Sequence, residues 1–409
     1  MSLRQRISAW LLGGDKPKRK ASRPRTKASK SKLETHEWMA TRISYGRRRP
    51  KPTKPLFNYL GKGVSSGLSD TKSDRELLEQ SGLPAVCNGF ELADQMGLAA
   101  SHLRYFVHHF PRTRSPHYYE FEIPKRSGGE RKIASPMPGL AGAQRFVLRE
   151  ILSNIGTHKS AHGFVSGCSI ATSADKHVGQ DVVLNVDLKE FFPSITLPRV
   201  AGLFRSLGYS GQVAKLLALI CTACPRKKER DQDGRSLWVQ TGGHALPQGA
   251  CTSPAISNLI ARSLDRRLSG LCKKMDWTYT RYADDLTFSA SGEPAQRVGY
   301  LLHRIRGIAR DESFQVNESK TRVQWKQQRQ MVTGVVVNDQ KGVPRKERRR
   351  IRAIFHRAQT EGLMAQNRDN HPDFIAYLEG MLGYIASIEP KHAEPYMKQL
   401  RALKLENIS

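Results

Sequence analysis

The stretch Thr280-Arg281-Tyr282-Ala283-Asp284-Asp285-Leu286-Thr287-Phe288 decides the fold. Tyr279 and Leu286-Thr287-Phe288 carry the aromatic and β-branched residues of strands. Two adjacent carboxylates therefore stand at a strand-turn-strand junction. Adjacent carboxylates repel each other and stay ionised only beside compensating positive charge, which a divalent metal supplies. A solvated Asp-Asp hairpin turn fits the same nine residues, because Asp is a common turn residue.

Upstream, Asp181-Val182-Val183-Leu184-Asn185-Val186-Asp187-Leu188 reads as an apolar strand that delivers a third carboxylate, Asp187, near its end. Three such Asp residues make the ligand set of a two-metal phosphoryl-transfer site. Between the two stretches, Leu246-Pro247-Gln248-Gly249-Ala250-Cys251-Thr252-Ser253-Pro254 opens a long amphipathic helix. Thr252 or Ser253 is its cap, and Ile256, Leu259, Ile260, Leu264, Leu268 and Leu271 are its buried stripe. Gly249 lets the backbone come close to a ligand.

This order of strand, turn plus helix, and Tyr-x-Asp-Asp hairpin resembles the palm of a reverse transcriptase. The resemblance covers about residues 85–390. It narrows to bacterial retron reverse transcriptases through Ser173-Ala174-Asp175-Lys176-His177 and Val332-Thr333-Gly334. The family carries Asn-Ala-x-x-His and Val-Thr-Gly at these places, so Ser173 stands where Asn is usual.

The resemblance implies an α/β right-hand polymerase with an antiparallel palm sheet, mixed α/β fingers and an α-helical thumb. The expected division is 1–80 as a basic, largely disordered extension, 81–180 as N-terminal helices and fingers, 181–340 as palm and 341–409 as thumb. Asp187, Leu188, Asp284 and Asp285 are the implied ligands of two Mg²⁺ ions, with Mn²⁺ able to replace them. Lys320 matches the palm lysine proposed to protonate leaving pyrophosphate. Lys125, Arg131, Phe192, Gln248 and Gly249 are the implied nucleotide site, with Phe192 under the sugar and Phe191 in the core. Ala174, His177, Val332, Thr333 and Gly334 are implied contacts to RNA or DNA, with Met331–Val337 as the strand that grips the primer end. Family membership further implies dNTP substrates and a cognate structured noncoding RNA. It also implies a branched RNA–DNA product trimmed by host RNase H, an accessory effector protein and a role in antiphage defence. Other bacterial reverse transcriptases, of the group II intron or diversity-generating kind, share the palm signature. A non-catalytic RNA-binding protein on the same scaffold is the reading from another class.

Composition agrees with a polyanionic partner. The 409 residues carry a formal net charge of +30, with 38% apolar and 25% charged residues. Residues 1–60 hold 17 Lys or Arg against three acids (Asp15, Glu34, Glu37), a net of +14. Within them, 16–32 is too polar to offset its ordering entropy. That run is either a solubilising tail or a nucleic-acid contact. Leu3, Ile7, Trp10 and Leu11 fall on one face of a short helix. No apolar run approaches the roughly 20 residues a membrane span needs, which points to a cytoplasmic protein without membrane contact. Six cysteines are scattered, and Cys221 and Cys224 read as core thiols one helical turn apart.

Other elements follow in order. Glu91–Leu98 followed by His102–Phe106 resembles a helix-turn-helix, and it reads either as a packed helical pair, which its place before the fingers favours, or as a DNA-operator reader. His117–Ile133 reads as a hairpin turning at Gly128-Gly129, with Tyr119, Phe121 and Ile123 on its buried face. Lys125 and Arg131 flank that turn, placed either to grip a triphosphate or simply to face water. Gln144–Ile155 reads as a helix. Residues 341–352 carry seven basic residues and one acid. On a helix starting near Pro344, Arg345, Arg348, Arg349 and Arg352 share one face, and Ile351, Ile354, Phe355 and Ala358 the other. The basic face suits duplex phosphates, with a solvated face as the plain alternative. Phe374–Ile388 is a second thumb helix, and no RNase H, endonuclease or zinc-finger module is read beyond it.

Overall fold

The computed structural model describes residues 56–124 and 128–406, with side chains to 403. The basic run 16–32, the amphipathic turn at Leu3–Leu11 and Lys125 lie outside the described residues.

Three short helices come first: α1 (Arg75–Gln80), α2 (Gly89–Gln95) and α3 (Ala100–Val107). Asp74 and Asn88 cap α1 and α2 by accepting from backbone N–H groups of their first turns. The α2–α3 pair packs as expected, through Leu92, Ala93, Leu103 and Val107. The expected extension to residue 80 is corrected. Phe57, Leu60, Val64, Leu68 and Leu78 are buried in the same core, so packed chain already exists from residue 57. The first four recur every three to four positions in a stretch whose average composition is polar, and the average hid them.

A short β1 (Arg112–Thr113) precedes the hairpin β2 (Tyr118–Pro124) and β3 (Glu130–Pro136), paired from Tyr118↔Pro136 to Pro124↔Glu130. The hairpin is as expected, with Gly128 and Gly129 both at positive φ, but its buried face is not. Tyr119 is 63% and Phe121 38% exposed, whereas Tyr118 turns inward with its hydroxyl 2.9 Å from Gln144 Nε2. Both Tyr118 and Tyr119 are aromatic, so alternation alone does not choose the face.

Helix α4 (Pro138–Phe146) continues as a π turn over Val147–Ile151 and a 3-10 turn over Leu152–Asn154. It thus starts earlier than the expected Gln144 and changes form midway. Then come α5 (Ile170–Asp175), β4 (Val182–Leu188), α6 (Leu197–Ser206) and α7 (Gly211–Cys221). Helix α7 ends at Cys221, so Cys224 is not one turn along it as expected. The Cys224 thiol instead donates to the Gly242 carbonyl at 3.1 Å. Strands β5 (Arg226–Arg230) and β6 (Ser236–Gln240) join β1 in a small sheet of order β1-β6-β5.

The central sheet is built from the remaining long strands. After α8 (Ser253–Ile260) and α9 (Arg262–Met275) come β7 (Thr278–Tyr282) and β8 (Asp285–Ala290). Helices α10 (Glu293–Gln296) and α11 (Val298–Asp311) lead into β9 (Val316–Trp325). The sheet is antiparallel throughout, in the order β7-β8-β4-β9. Six of the seven β4 residues are buried, which explains an apolar run without alternation.

The expected single strand over Met331–Val337 is a tight hairpin, β10 (Met331–Val332) with β11 (Val335–Val336). Thr333 and Gly334 are its two turn residues, at φ 45° and 90°, the I′ pattern. Three helices close the chain: α12 (Arg345–Glu361), α13 (Phe374–Ile388) and α14 (Pro390–Glu406). The last was not read from sequence, because its apolar positions are sparse and Pro395 lies inside it. A second core joins Ala171 and Ala174 of α5 and Val332 and Val335 of the β10–β11 hairpin to α12 and α13. Ile351, Ile354, Phe355 and Ala358 form the buried face of α12, as expected.

Candidate active site

The β7–β8 hairpin closes with Tyr282 opposite Asp285, leaving Ala283-Asp284 as a two-residue turn. Ala283 lies at φ 58°, the positive first position of a II′ turn. Asp187 stands directly opposite Asp285 on the neighbouring strand, so the two side chains share a face. The Leu188 N–H donates to the Asp284 carbonyl at 3.0 Å, tying the turn to β4. Three carboxylates from two separate stretches of sequence thus meet at one end of the sheet.

Positive charge reaches them from β9. Lys320 Nζ lies 3.0 Å from both Asp187 oxygens, and Asn317 Nδ2 donates to Asp187 Oδ1 at 3.0 Å. A register irregularity between Asn185 and Asp187 lets both residues of β9 reach one carboxylate. Burial pushes the Asp284 carboxyl above its usual range, and the charge of Asp187 pushes it further, while Lys320 and Arg131 pull it back. This donor set of hard, mutually repelling oxygens fits a divalent cation. Among the described residues, no three His, Cys, Asp or Glu side chains already form a metal cage. The side chain of Leu188 is buried in the core, so only its backbone can join the ligand set.

Of the residues expected at a nucleotide, Arg131 stands on β3 of the β2–β3 hairpin, and Gln248 and Gly249 pack against that strand. The charge of Arg131 helps to lower the Asp284 carboxyl, so this residue of β3 faces the same region as the carboxylates. Ala134 N donates to the Gln248 carbonyl at 2.8 Å. Gly249 lies at φ 124°, and a Cβ there would meet the Ala134 carbonyl at 2.7 Å. Its close approach is therefore to β3, where sequence reasoning expected a ligand. Phe191 is buried and stacks on Phe314 at 5.4 Å, whereas Phe192 is only half-buried.

The residues expected to touch RNA or DNA divide in two. Ala174, His177 and Val332 are wholly buried, which corrects a direct contact through their side chains. His177 instead bridges the β7–β8 hairpin from behind. Its Nδ1 lies 2.7 Å from Ser289 Oγ on β8, and its Nε2 lies 2.8 Å from Thr280 Oγ1 on β7. Ser173 Oγ is 2.9 Å from the same Thr280 oxygen, so its hydroxyl provides a bond at the place where Asn is usual. Burial pushes His177 down to about 3, and it stays neutral. Thr333 and Gly334 form the turn described above, with the Gly334 carbonyl accepting from Tyr384 Oη at 2.8 Å. Arg345, Arg349 and Arg352 are exposed, and Arg348 is half-buried at 3.8 Å from Glu389. Sequence reasoning missed Asn317 and Arg281. Arg281 carried a signal, as a charged residue in an otherwise Tyr- and Thr-rich strand.

An antiparallel sheet with carboxylates at the tip of one hairpin and beside it on β4 defines a polymerase of the reverse transcriptase class. Residues 123–337 match the family model described as reverse transcriptase (RNA-dependent DNA polymerase). The chain is 41% identical over 344 residues to Retron Mx65 reverse transcriptase of Myxococcus xanthus, covering 83% of this chain and 77% of that one. It is 38% identical to Retron Mx162 reverse transcriptase of the same organism, over 95% of this chain and 80% of the relative. Telomerase from Candida albicans, solved with a TWJ fragment of telomeric RNA, has a TM-score of 0.43 and 11% identity, over 70% of this chain and 59% of that chain. The chain belongs to the retron reverse transcriptases, and it is an RNA-directed DNA polymerase.

Proposed function

We propose that Asp187, Asp284 and Asp285 carry nucleotidyl transfer from a dNTP to a primer hydroxyl, templated by a cognate structured noncoding RNA. The observation that carries this is the meeting of Asp187 and Asp285 across β4 and β8, with Asp284 in the adjoining turn. These carboxylates, with the Leu188 backbone, would hold two Mg²⁺ (or Mn²⁺) ions, which supply charge for the attacking and leaving oxygens. Asp187 is oriented for that role by Asn317 and Lys320. Lys320 carries the nearest ammonium and is the proton donor for departing pyrophosphate. Arg131, with Lys125, grips the triphosphate, since guanidinium pairs with phosphate in two-point fashion. Gln248 lies against the nucleotide, and Phe192 occupies the volume a 2′-hydroxyl needs. The exposed Tyr119 and Phe121 share a strand face with Arg131 and offer rings to template bases. The basic face of α12 lies along duplex phosphates. The β10–β11 turn, with Thr333 and Gly334, faces the primer end.

Similarity to retron enzymes supports the finer reading. Synthesis starts from a guanosine 2′-hydroxyl of the noncoding RNA and yields branched multicopy single-stranded DNA. Host RNase H trims the template, and the system acts in the cytoplasm, with an effector protein, in antiphage defence. Among the described residues, no helix is long and apolar enough to cross a membrane. Asp284→Asn keeps the shape of the side chain and removes its charge. Extension of a DNA primer on an RNA template should fall about a hundredfold or more, with RNA affinity retained. Extension near the parent rate contradicts the assignment.

A further inference from the structure

The turn that carries Asp284 has a buried support that the reaction chemistry does not use. Ala283 holds a backbone conformation that L side chains rarely adopt, at φ 58°. Such a conformation persists only when its surroundings over-determine it. The surroundings here are specific. Arg281, fully buried on β7, donates from Nη1 to the Ala283 carbonyl at 3.2 Å. The same nitrogen donates to Asn258 Oδ1 at 2.9 Å. The rest of the guanidinium grips Asp265 at two points, Nε to Oδ1 at 2.8 Å and Nη2 to Oδ2 at 2.7 Å. Asp265 also accepts from Tyr279 Oη at 2.8 Å, so both its oxygens are engaged. Asp265 and Arg281 are both inaccessible to solvent.

A second line of contact reaches the turn from the other side. Asn258 Nδ2 donates to the Gly163 carbonyl at 2.8 Å. A Cβ on Gly163 would stand 2.6 Å from Ala283 N, so only glycine lets this segment lie flush against the turn. The flanking backbone is held as well, with Arg281 N–H donating to Ser160 O and His162 N–H to Arg281 O, both at 2.7 Å. A buried ion pair brings little net stability over an apolar pair of similar volume, so stability alone is a weak reason for this one.

We infer that Arg281, Asp265 and Asn258 are positioning residues that clamp Ala283 in its left-handed conformation and so fix where Asp284 points. The inference rests on the assignment of Asp284 to the chemistry. Arg281 touches no reacting atom. Its planar fork is what the task requires, since one side chain must satisfy two Asp oxygens, an amide oxygen and a backbone carbonyl together.

The test uses the full-length protein and single-dNTP addition to a DNA primer on an RNA template. Arg281→Gln with Asp265→Asn removes both buried charges at once and leaves Tyr279 an acceptor. The kcat should fall about tenfold or more, since small misplacements are costly, while KM for dNTP changes by less than about threefold. Adding Ala283→Gly should raise kcat by about threefold or more, because glycine adopts positive φ without penalty. Should the paired variant not fold, Asn258→Ala removes the amide link alone. It should show a smaller loss in kcat, again relieved by Ala283→Gly. Unchanged kcat in a folded network variant, or no relief from Ala283→Gly, overturns the clamp. Asp284→Asn is run alongside. If it is inactive while the network variants match the parent, only the clamp fails. If it extends normally, the site assignment falls and the clamp with it.

Discussion

The hairpin that carries Asp284 and Asp285 and the hairpin that carries Arg131 are built in opposite ways. In β7–β8, eight of eleven strand residues are buried, the turn is tied to β4 and to Arg281, and the two strands behind it are bridged by His177. In β2–β3, no strand residue is fully buried, and two aromatic rings are exposed on the face that carries Arg131. On the proposed assignment the first hairpin holds groups whose position sets the rate, which calls for a geometry fixed before substrate arrives. The second leaves Tyr119 and Phe121 exposed, as the proposed grip on a ligand requires.

The comparison breaks most visibly at Asp187. Asp187→Asn should lower kcat about a hundredfold or more, with a melting temperature near the parent value, in primer extension paired with thermal melts. Arg131→Ala, on the open hairpin, should mainly raise KM for dNTP, by about tenfold or more, with a smaller change in kcat. If Arg131→Ala lowers kcat and leaves KM alone, the open hairpin serves the chemistry and the contrast fails.

A smaller effect concerns the sugar. Phe192→Val should raise ribonucleotide use relative to deoxyribonucleotide by about five- to a hundredfold, the equivalent of about 1–3 kcal/mol of overpacking. Phe191→Val should leave sugar choice alone and lower the melting temperature, since Phe191 is the ring packed on Phe314. Reversed outcomes would reverse the two roles.

The closed hairpin should also show in acid. Burial holds His177 at about 3, below its ordinary 6.5, so the folded state favours the neutral ring. Its contribution is complete above about pH 6.5. It is lost as pH falls from there toward 3, at up to about 1.4 kcal/mol per pH unit. His244 is also held at about 3 and adds a similar slope. His177→Gln should therefore make the fall in melting temperature between pH 7 and pH 5 shallower. An unchanged slope means His177 charges without opening the hairpin.

The parts legible in the sequence were those whose signal is local. The β4 strand, the Asp-Asp turn and the two faces of α12 each follow from a short pattern of residue types. The parts that escaped depend on what lies opposite. Whether Tyr118 or Tyr119 faces inward is set by Gln144, which is distant in sequence. The need for Gly249 is set by the Ala134 carbonyl. Ala174, His177 and Val332 were expected as nucleic-acid contacts, but they are buried beneath the hairpin and the C-terminal helices, a placement that a motif cannot reveal. Arg281 needed its partner Asp265, on a different element, before its charge made sense.

Amide hydrogen exchange on the two hairpins tests the central contrast most directly, with the protein alone and then with primer–template, dNTP and Mg²⁺. Slow exchange over 278–290 in both states, with 118–136 gaining protection only when substrate is bound, is the result this account predicts. Protection of 278–290 that appears only with substrate would contradict it, because the catalytic hairpin would then be shaped by its ligand.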